Sequence, residues 1–422
     1  MRILFKSATI CDPRSPYHLQ TLDLLVEDGM ISRIGKQLRV DDAAEISANQ
    51  LYLTNGFVDT FASFRDPGME HQEDLNTGLL AAARGGYTAV CVQPDTFPVT
   101  QHKGGISYWI NKSAGKLSRL IPAAALTLDL KGIDLTEMLD LHQAGAQVFS
   151  NANVPVMDAG TQLRALQYIR HFDGLMYSLP IDTNIARGGM VNEGVQSTRL
   201  GLKGIPDMAE ELMVVRDIAL VEYTGSRLHF AKISTSGSVK LIKEAKKRGL
   251  AISCGVAAHH LLLTDEVLTA FDTHTKVFPP LRDKADQLAL IEGVKDGTID
   301  VICSDHQPED VETKFKEFDL ASFGAIGLET AFSAALTGVG RKMKIDQLLL
   351  AFNQQPAKLL GVAQPVLAEG QAADLVALDP SQSWEVNATE WVSKSANSPF
   401  TGKKLSGKIL LTLNNNQIYW NK

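Results

Sequence analysis

Four cysteines in 422 residues are too few for a disulfide framework. Cys11, Cys91, Cys254 and Cys303 lie far apart, show no CxxC spacing, and are expected as buried free thiols. The chain lacks a long basic run, and its net charge of −7 excludes a general nucleic-acid binder. No apolar run reaches membrane-spanning length, and Met1-Arg2-Ile3-Leu4-Phe5-Lys6 opens no long apolar segment of the secretory kind. We therefore expect a soluble, cytoplasmic protein without nucleic-acid or membrane partners. Solenoid-period repeats and low-complexity segments are also missing. The pairs Gly85-Gly86, Gly104-Gly105 and Gly188-Gly189 lack the strand–GxGxxG–helix context of a phosphate cradle and read as turns.

What remains is an ordinary core-forming composition, 45% apolar, in a chain long enough for a large barrel and a smaller domain. The first segment alternates short strands: Ile3-Leu4-Phe5, Asp23-Leu24-Leu25-Val26 and Ile31-Ser32-Arg33-Ile34, with Asp28-Gly29 as a hairpin turn. All-β character returns in Ala373–Leu378, Lys408–Leu413 and Gln417–Trp420, with Asn414-Asn415-Asn416 as a turn. Neither end alone can bury a sheet face, so residues 1–54 and 365–422 are paired into one β-sandwich domain. Between them, residues 55–364 alternate apolar strands with helical patterns. The eight strands expected are Gly56–Phe61, Tyr87–Gln93, Leu120–Thr127, Ala146–Ser150, Gly174–Ser178, Arg227–Ile233, Ala251–Val256 and Asp300–Ser304. Helices are clearest over Glu210–Val221 and Ser238–Arg248, the second capped by Ser236-Gly237-Ser238. This pattern is an α/β chain folded as a (β/α)8 barrel, its functional face at the strands' C-terminal ends.

The stretch Asp59-Thr60-Phe61-Ala62-Ser63-Phe64-Arg65-Asp66-Pro67-Gly68 resembles the first barrel strand of the dihydroorotase branch of the amidohydrolase superfamily. In that family the strand ends Asp-Thr-His-x-His-x-Arg-Glu-Pro-Gly, and both histidines hold a catalytic zinc. Further ordered likenesses are Pro94-Asp95-Thr96, Gly188–Gly194, His259–Glu266, Lys276–Arg282, Ser304–Pro308, Gly327–Ala331, Ala372–Val376 and Ser398–Gly402. The resemblance covers nearly the whole chain.

Mapped through that resemblance, the zinc site is degenerate. Phe61 and Ser63 stand at the two histidine positions, and a benzyl ring cannot ligate zinc. Ser150-Asn151-Ala152-Asn153 stands where the family has a Ser-Asp-Asp-Gly turn or a carboxylated lysine, so the bridging position is Asn151. Ser178 and Lys232 fill the two remaining histidine positions. Only Asp305 survives, a vestigial general base. Among positions that meet the substrate in the family, Arg65 is kept, while Asp95 and Phe278 replace asparagines and Glu309 replaces a histidine. His259 and His260 are read as structural hydrogen-bonders pointing oppositely from an extended chain, and His306 as scaffolding. His18, His71, His102, His142, His171 and His274 read as surface or loop residues, and the role of His229 stays open.

The resemblance implies a noncatalytic dihydroorotase-like protein of pyrimidine biosynthesis. It would lack zinc and act as a structural partner of aspartate transcarbamoylase, with a homodimer also open. The alternatives are an active dihydroorotase or related cyclic amidohydrolase with a rearranged site, and a small-molecule sensor that kept Arg65. Lys232 and Asp305 are expected to form an ion pair in the barrel mouth. The competing arrangement turns Lys232 to solvent and gives Asp305 serine donors such as Ser63 or Ser178.

Overall fold

The computed structural model describes residues 1–421. Eight parallel strands form the barrel: β1 (Phe57–Ala62), β2 (Tyr87–Val92), β3 (Arg119–Ala125), β4 (Val148–Ser150), β5 (Leu175–Ser178), β6 (Leu228–Phe230), β7 (Ile252–Ala257) and β8 (Val301–Cys303). A main helix follows each: α1 (Leu75–Arg84), α2 (Lys103–Ser113), α3 (Met138–Gln143), α4 (Ala159–Arg170), α5 (Met208–Thr224), α6 (Ser236–Lys247), α7 (Lys284–Asp296) and α8 (Ala331–Val339), with shorter helices such as Val195–Leu200 and Ala258–Leu262 in the connections. All eight expected strands are present within a few residues. The cap of α6 is Thr235, one residue ahead of the expected Ser236-Gly237-Ser238; its hydroxyl accepts from the Ser238 amide at 3.1 Å.

Adjacent strands pair in sequence order from β1 to β8. The ring closes at its mouth, where the Ser63 amide donates to the His306 carbonyl at 2.9 Å. Below that, Asp59 accepts from the Ser304 amide at 2.7 Å and the Ser304 hydroxyl at 2.6 Å. The barrel interior is filled rather than open, with Val58, Phe61, Cys91, Ala123, Tyr177 and Cys303 packed together. A register shift between Asp59 and Ala62 on β1 lets both Val58 and Phe61 join this inner cluster.

Both chain ends contribute to a second, curled sheet. Its order is Gln417–Trp420, Lys404–Asn414, Leu375–Glu385, Tyr52–Asn55, Arg2–Cys11, Thr21–Glu27, Met30–Gly35, with Ala44–Ile46 added beside Arg2–Cys11. Apolar residues from the two ends, among them Ile3, Phe5, Leu24, Leu375 and Leu411, share one core. The hairpin turns use the left-handed region at Asp28 and Gly29 (φ 48° and 79°) and at Asn415 and Asn416 (φ 52° and 55°). All four cysteines are free and buried. Among the described residues, no helix is long and apolar enough to cross a membrane.

Candidate functional site

The C-terminal ends of the strands open into a cleft of about 380 Å³, lined by Arg65, Asp95, Asn153, Phe278, Asp305 and Gln307 among others. A larger cleft of about 710 Å³ lies between Arg84, Trp384 and Trp420. Barrel chemistry sits at strand ends, so the smaller cleft is the relevant one.

Lys232, just beyond β6, is fully buried. Its ammonium donates to Asp305 Oδ1 at 2.7 Å, Asn153 Oδ1 at 2.9 Å and the Phe278 carbonyl at 2.9 Å. It also sits 4.5 Å from the centre of the Phe61 ring. Each of its three protons therefore has an acceptor, and the charge also lies close to an aromatic ring. Asp305, 3% exposed, is neutralised by this cation. The expected ion pair is present, and the competing arrangement with serine donors is not. Two of the acceptors, Asn153 and the backbone of Phe278, escaped the sequence reading, which considered the Phe278 side chain alone. That ring packs against Phe323, centroids 5.4 Å apart.

Around Arg65 a second charged group closes. The guanidinium donates to Asp95 Oδ2 at 2.8 Å, Glu309 Oε1 at 3.1 Å and Gln307 Oε1 at 3.4 Å. The Ser63 hydroxyl lies 2.7 Å from Asp95 Oδ2 and 3.1 Å from Gln307 Oε1. Burial raises the Glu309 carboxyl, against the lowering effect of Arg65. Gln307 was missed as a site residue. The signal was available, because a polar amide occupies the alanine position of the family motif Asp-His-Ala-Pro-His.

Two mapped positions face elsewhere. The Ser178 hydroxyl donates to Asp217 on α5 at 2.6 Å, so it points outward from the barrel; the next residue, Leu179, packs in a cluster with Phe278. Strand alternation explains the correction: Tyr177 is the inward residue at the end of β5, and Ser178 takes the opposite face. Asn151 accepts from the Thr127 amide at 3.1 Å and donates to its hydroxyl at 2.9 Å, bracing the loop after β3.

The histidines add no metal donor set. His259 and His260 lie on a short helical turn, Ala258–Leu262, not on extended chain, so their rings sit 4.6 Å apart instead of pointing oppositely. His260 faces the Pro280 carbonyl at 3.1 Å. His259 Nε2 stands 3.8 Å from Asp305 Oδ2, too far to hydrogen-bond. Burial, then the Lys232 charge, pushes His259 down to about 3, so its ring is neutral at pH 7. His306 lies 3.4 Å from the buried Glu73. His229, inside the barrel against Tyr177, meets the Ser253 hydroxyl at 2.8 Å, and burial pushes it to about 3. Among the described residues, no three His, Cys, Asp or Glu side chains converge as a metal site. A zinc ion does not fit here: a divalent cation would stand against a fixed ammonium, with one carboxylate already taken.

A family profile described as dihydro-orotase-like matches residues 51–238, and one described as the amidohydrolase family matches residues 193–415. A protein named dihydroorotase from Acetivibrio thermocellus is 41% identical, over 99% of this chain and 98% of the relative. The chain belongs to the dihydroorotase family of amidohydrolases. Another dihydroorotase, from Pelotomaculum thermopropionicum, is 42% identical, over 96% of each chain. The solved structure of an L-hydantoinase from Arthrobacter aurescens shares the fold with a TM-score of 0.85. It covers 100% of this chain and 96% of the hydantoinase at 24% identity.

Proposed function

We propose that this dihydroorotase-family chain does not hydrolyse cyclic amides and serves pyrimidine biosynthesis as a structural partner of aspartate transcarbamoylase. The observation that carries the first half is the buried Lys232 ammonium, saturated by Asp305, Asn153 and the Phe278 carbonyl. Hydrolysis in this superfamily needs a water activated at a metal held by several imidazoles and carboxylates. Here the residues that meet at the mouth leave no such donor set and supply a cation of their own. Arg65, the group suited to a substrate carboxylate, is already engaged by Asp95 and Glu309. Support for the second half is the likeness to noncatalytic dihydroorotase-like chains that assemble with the transcarbamoylase.

Dihydroorotate hydrolysis is to be measured beside the Acetivibrio thermocellus relative, with zinc supplied, and bound zinc quantified by elemental analysis. We expect no turnover above the uncatalysed rate and no stoichiometric zinc. Zinc-dependent turnover comparable to the relative would sink the noncatalytic reading. Sedimentation of the chain with aspartate transcarbamoylase tests the partnership, and independent migration of the two would refute it.

A further inference from the structure

Past β8, residues 310–323 form a strap beside the barrel mouth. Its apolar anchoring is thin: Phe318 and Ala321 are buried, while Val311, Phe315 and Leu320 stand 75%, 89% and 65% exposed. Two buried lysines hold it instead. Lys276, on the rim, donates its ammonium to the Phe318 and Asp319 carbonyls at 2.7 and 3.1 Å, with the Phe318 and Phe323 rings 5.5 and 5.0 Å away. Lys314, on the strap itself, donates to the Ser322 and Gly324 carbonyls at 2.8 and 2.9 Å. Both lysines are 3% exposed. An ammonium buried against carbonyls alone gives up its hydration without gaining a counter-ion. The ends of the strap are fixed. The Asn397 amide donates to the Gln307 and Gly324 carbonyls at 2.9 and 3.1 Å, and the Gly324 amide donates to the Lys276 carbonyl at 2.9 Å. Gly324 sits at φ 135°, a conformation open to glycine.

We propose that residues 310–323 are a lid that swings off the rim as a unit between Gln307 and Gly324, rehydrating both ammoniums and drawing Glu309 away from Arg65. Inside the strap the Ser322 amide donates to the Thr313 carbonyl at 3.1 Å, and with the Lys314 bonds this keeps the segment in one shape. Its ties to the rest of the chain are few. Besides Lys276, the Thr273 hydroxyl donates to the Lys314 carbonyl at 2.7 Å and the Gln72 amide to Asp310 at 3.4 Å. Glu309 joins the lid to Arg65 at 3.1 Å, and Phe323 lines the mouth cleft, so opening alters both. Proton linkage then has a definite sign. Burial pushes Lys314 down to about 8, opposed by Glu309 and Asp272 and aided by the Lys276 charge. Burial also lowers Lys276, opposed by Asp319. An opened lid returns both to the ordinary lysine range of about 10.4. Opening therefore takes up protons, and the closed lid gains stability as pH rises from about 8 toward 10. The other charged groups facing the lid are Glu309, Asp310, Asp272, Asp319, His71 and His274. Carboxyl and imidazole groups ordinarily titrate below that window. Lys403, lowered by burial against Asp272, is a further lysine nearby. The inference is independent of whether the barrel mouth is catalytic.

The test is hydrogen exchange of the full chain at pH 7, 8 and 9, read in peptides from 311–322 and divided by the intrinsic rate at each pH. The lid's opening constant should fall at least about fivefold between pH 8 and 9, one proton being taken up on opening at Lys314 alone. Peptides from α1 and α4, remote from the lid lysines, serve as the internal control. The variant Lys276→Gln with Lys314→Gln supplies neutral amide donors in place of the ammoniums, and its lid protection should no longer depend on pH. At pH 8 this closed variant should also shield Arg65 from phenylglyoxal better than the wild type does. Lid protection in the wild type that stays level or falls from pH 8 to 9 would overturn the proposal, with no variant needed. So would the same pH dependence persisting in the double variant, which would assign it to Lys403 or another group. Equal phenylglyoxal reactivity of Arg65 in the two proteins would refute the link between the lid and the mouth.

Discussion

Replacing Lys232 by Met tests whether the ammonium has become the keystone of the barrel mouth. Met keeps most of the stem against Phe61 but leaves Asp305, 3% exposed, without its counter-ion. Asn153 Oδ1 and the Phe278 carbonyl lose their donor in the same step. Breaking one partner of a buried pair costs about 3–5 kcal/mol, because a charge is left uncompensated. Asp305→Asn strands the ammonium and should cost a similar amount; Asn tolerates the left-handed backbone there, where φ is 47°. The double variant buries no charge. Its remaining loss is the two acceptors without a donor, about 1–3 kcal/mol each. The double variant should therefore be more stable than the sum of the singles predicts, by at least about 2 kcal/mol of coupling. Urea unfolding at fixed pH, followed by fluorescence of the four tryptophans, measures all four corners. If Lys232→Met changes stability by less than about 0.5 kcal/mol and the coupling vanishes within error, the ion pair does not hold the mouth together.

Removing the two carboxylates that occupy Arg65, in Asp95→Asn with Glu309→Gln, should open a carboxylate site. Dihydroorotate should then raise the melting temperature of the variant and not of the wild type; a shift in both, or in neither, refutes the lock. Burial raises Asp59 to about 7 against the lowering by its Ser304 hydrogen bonds. Its folded-state proton is held more tightly than in the unfolded chain, so its contribution is full below about pH 4 and lost as pH rises through 7. Relative to Asp59→Asn, the wild type should lose on the order of 2 kcal/mol between pH 5 and 7. Parallel stability profiles over that range would contradict this.

Much of this was legible from residue patterns. Eight apolar strands set between helical periodicities fixed the barrel, and strand ends that converge on one mouth brought Lys232 and Asp305 together. The turn residues Asp28-Gly29 and Asn415-Asn416 marked their hairpins correctly. Side-chain facing was harder. Tyr177 and Ser178 differ by one position on β5, and only the observed alternation decides which of them faces into the barrel. His259 and His260 read as extended because a single helical turn after β7 has no periodicity long enough to detect. Asn153 lies in a loop, and the Phe278 contribution is a carbonyl, which no side-chain identity reports.

The backbone at the mouth is held in an uncommon conformation at two of its charged residues. Arg65 and Asp305 both sit at positive φ, 58° and 47°, which costs a non-glycine residue about 1–3 kcal/mol and persists only where the surroundings enforce it. In a zinc enzyme the metal ties such strand ends together. Here Lys232 links the ends of β6 and β8 and the loops carrying Asn153 and Phe278. Arg65 separately ties the loop after β1 to Asp95 after β2 and Glu309 after β8. The two cations together tie strand ends β6 and β8 to the loops after β1, β2 and β4 and to the loop carrying Phe278. The ties that hold this mouth together are all side-chain and backbone bonds of the chain itself. An imidazole placed at Phe61 would stand beside the fixed Lys232 ammonium, so metal binding at this mouth would require Lys232 to change in the same step.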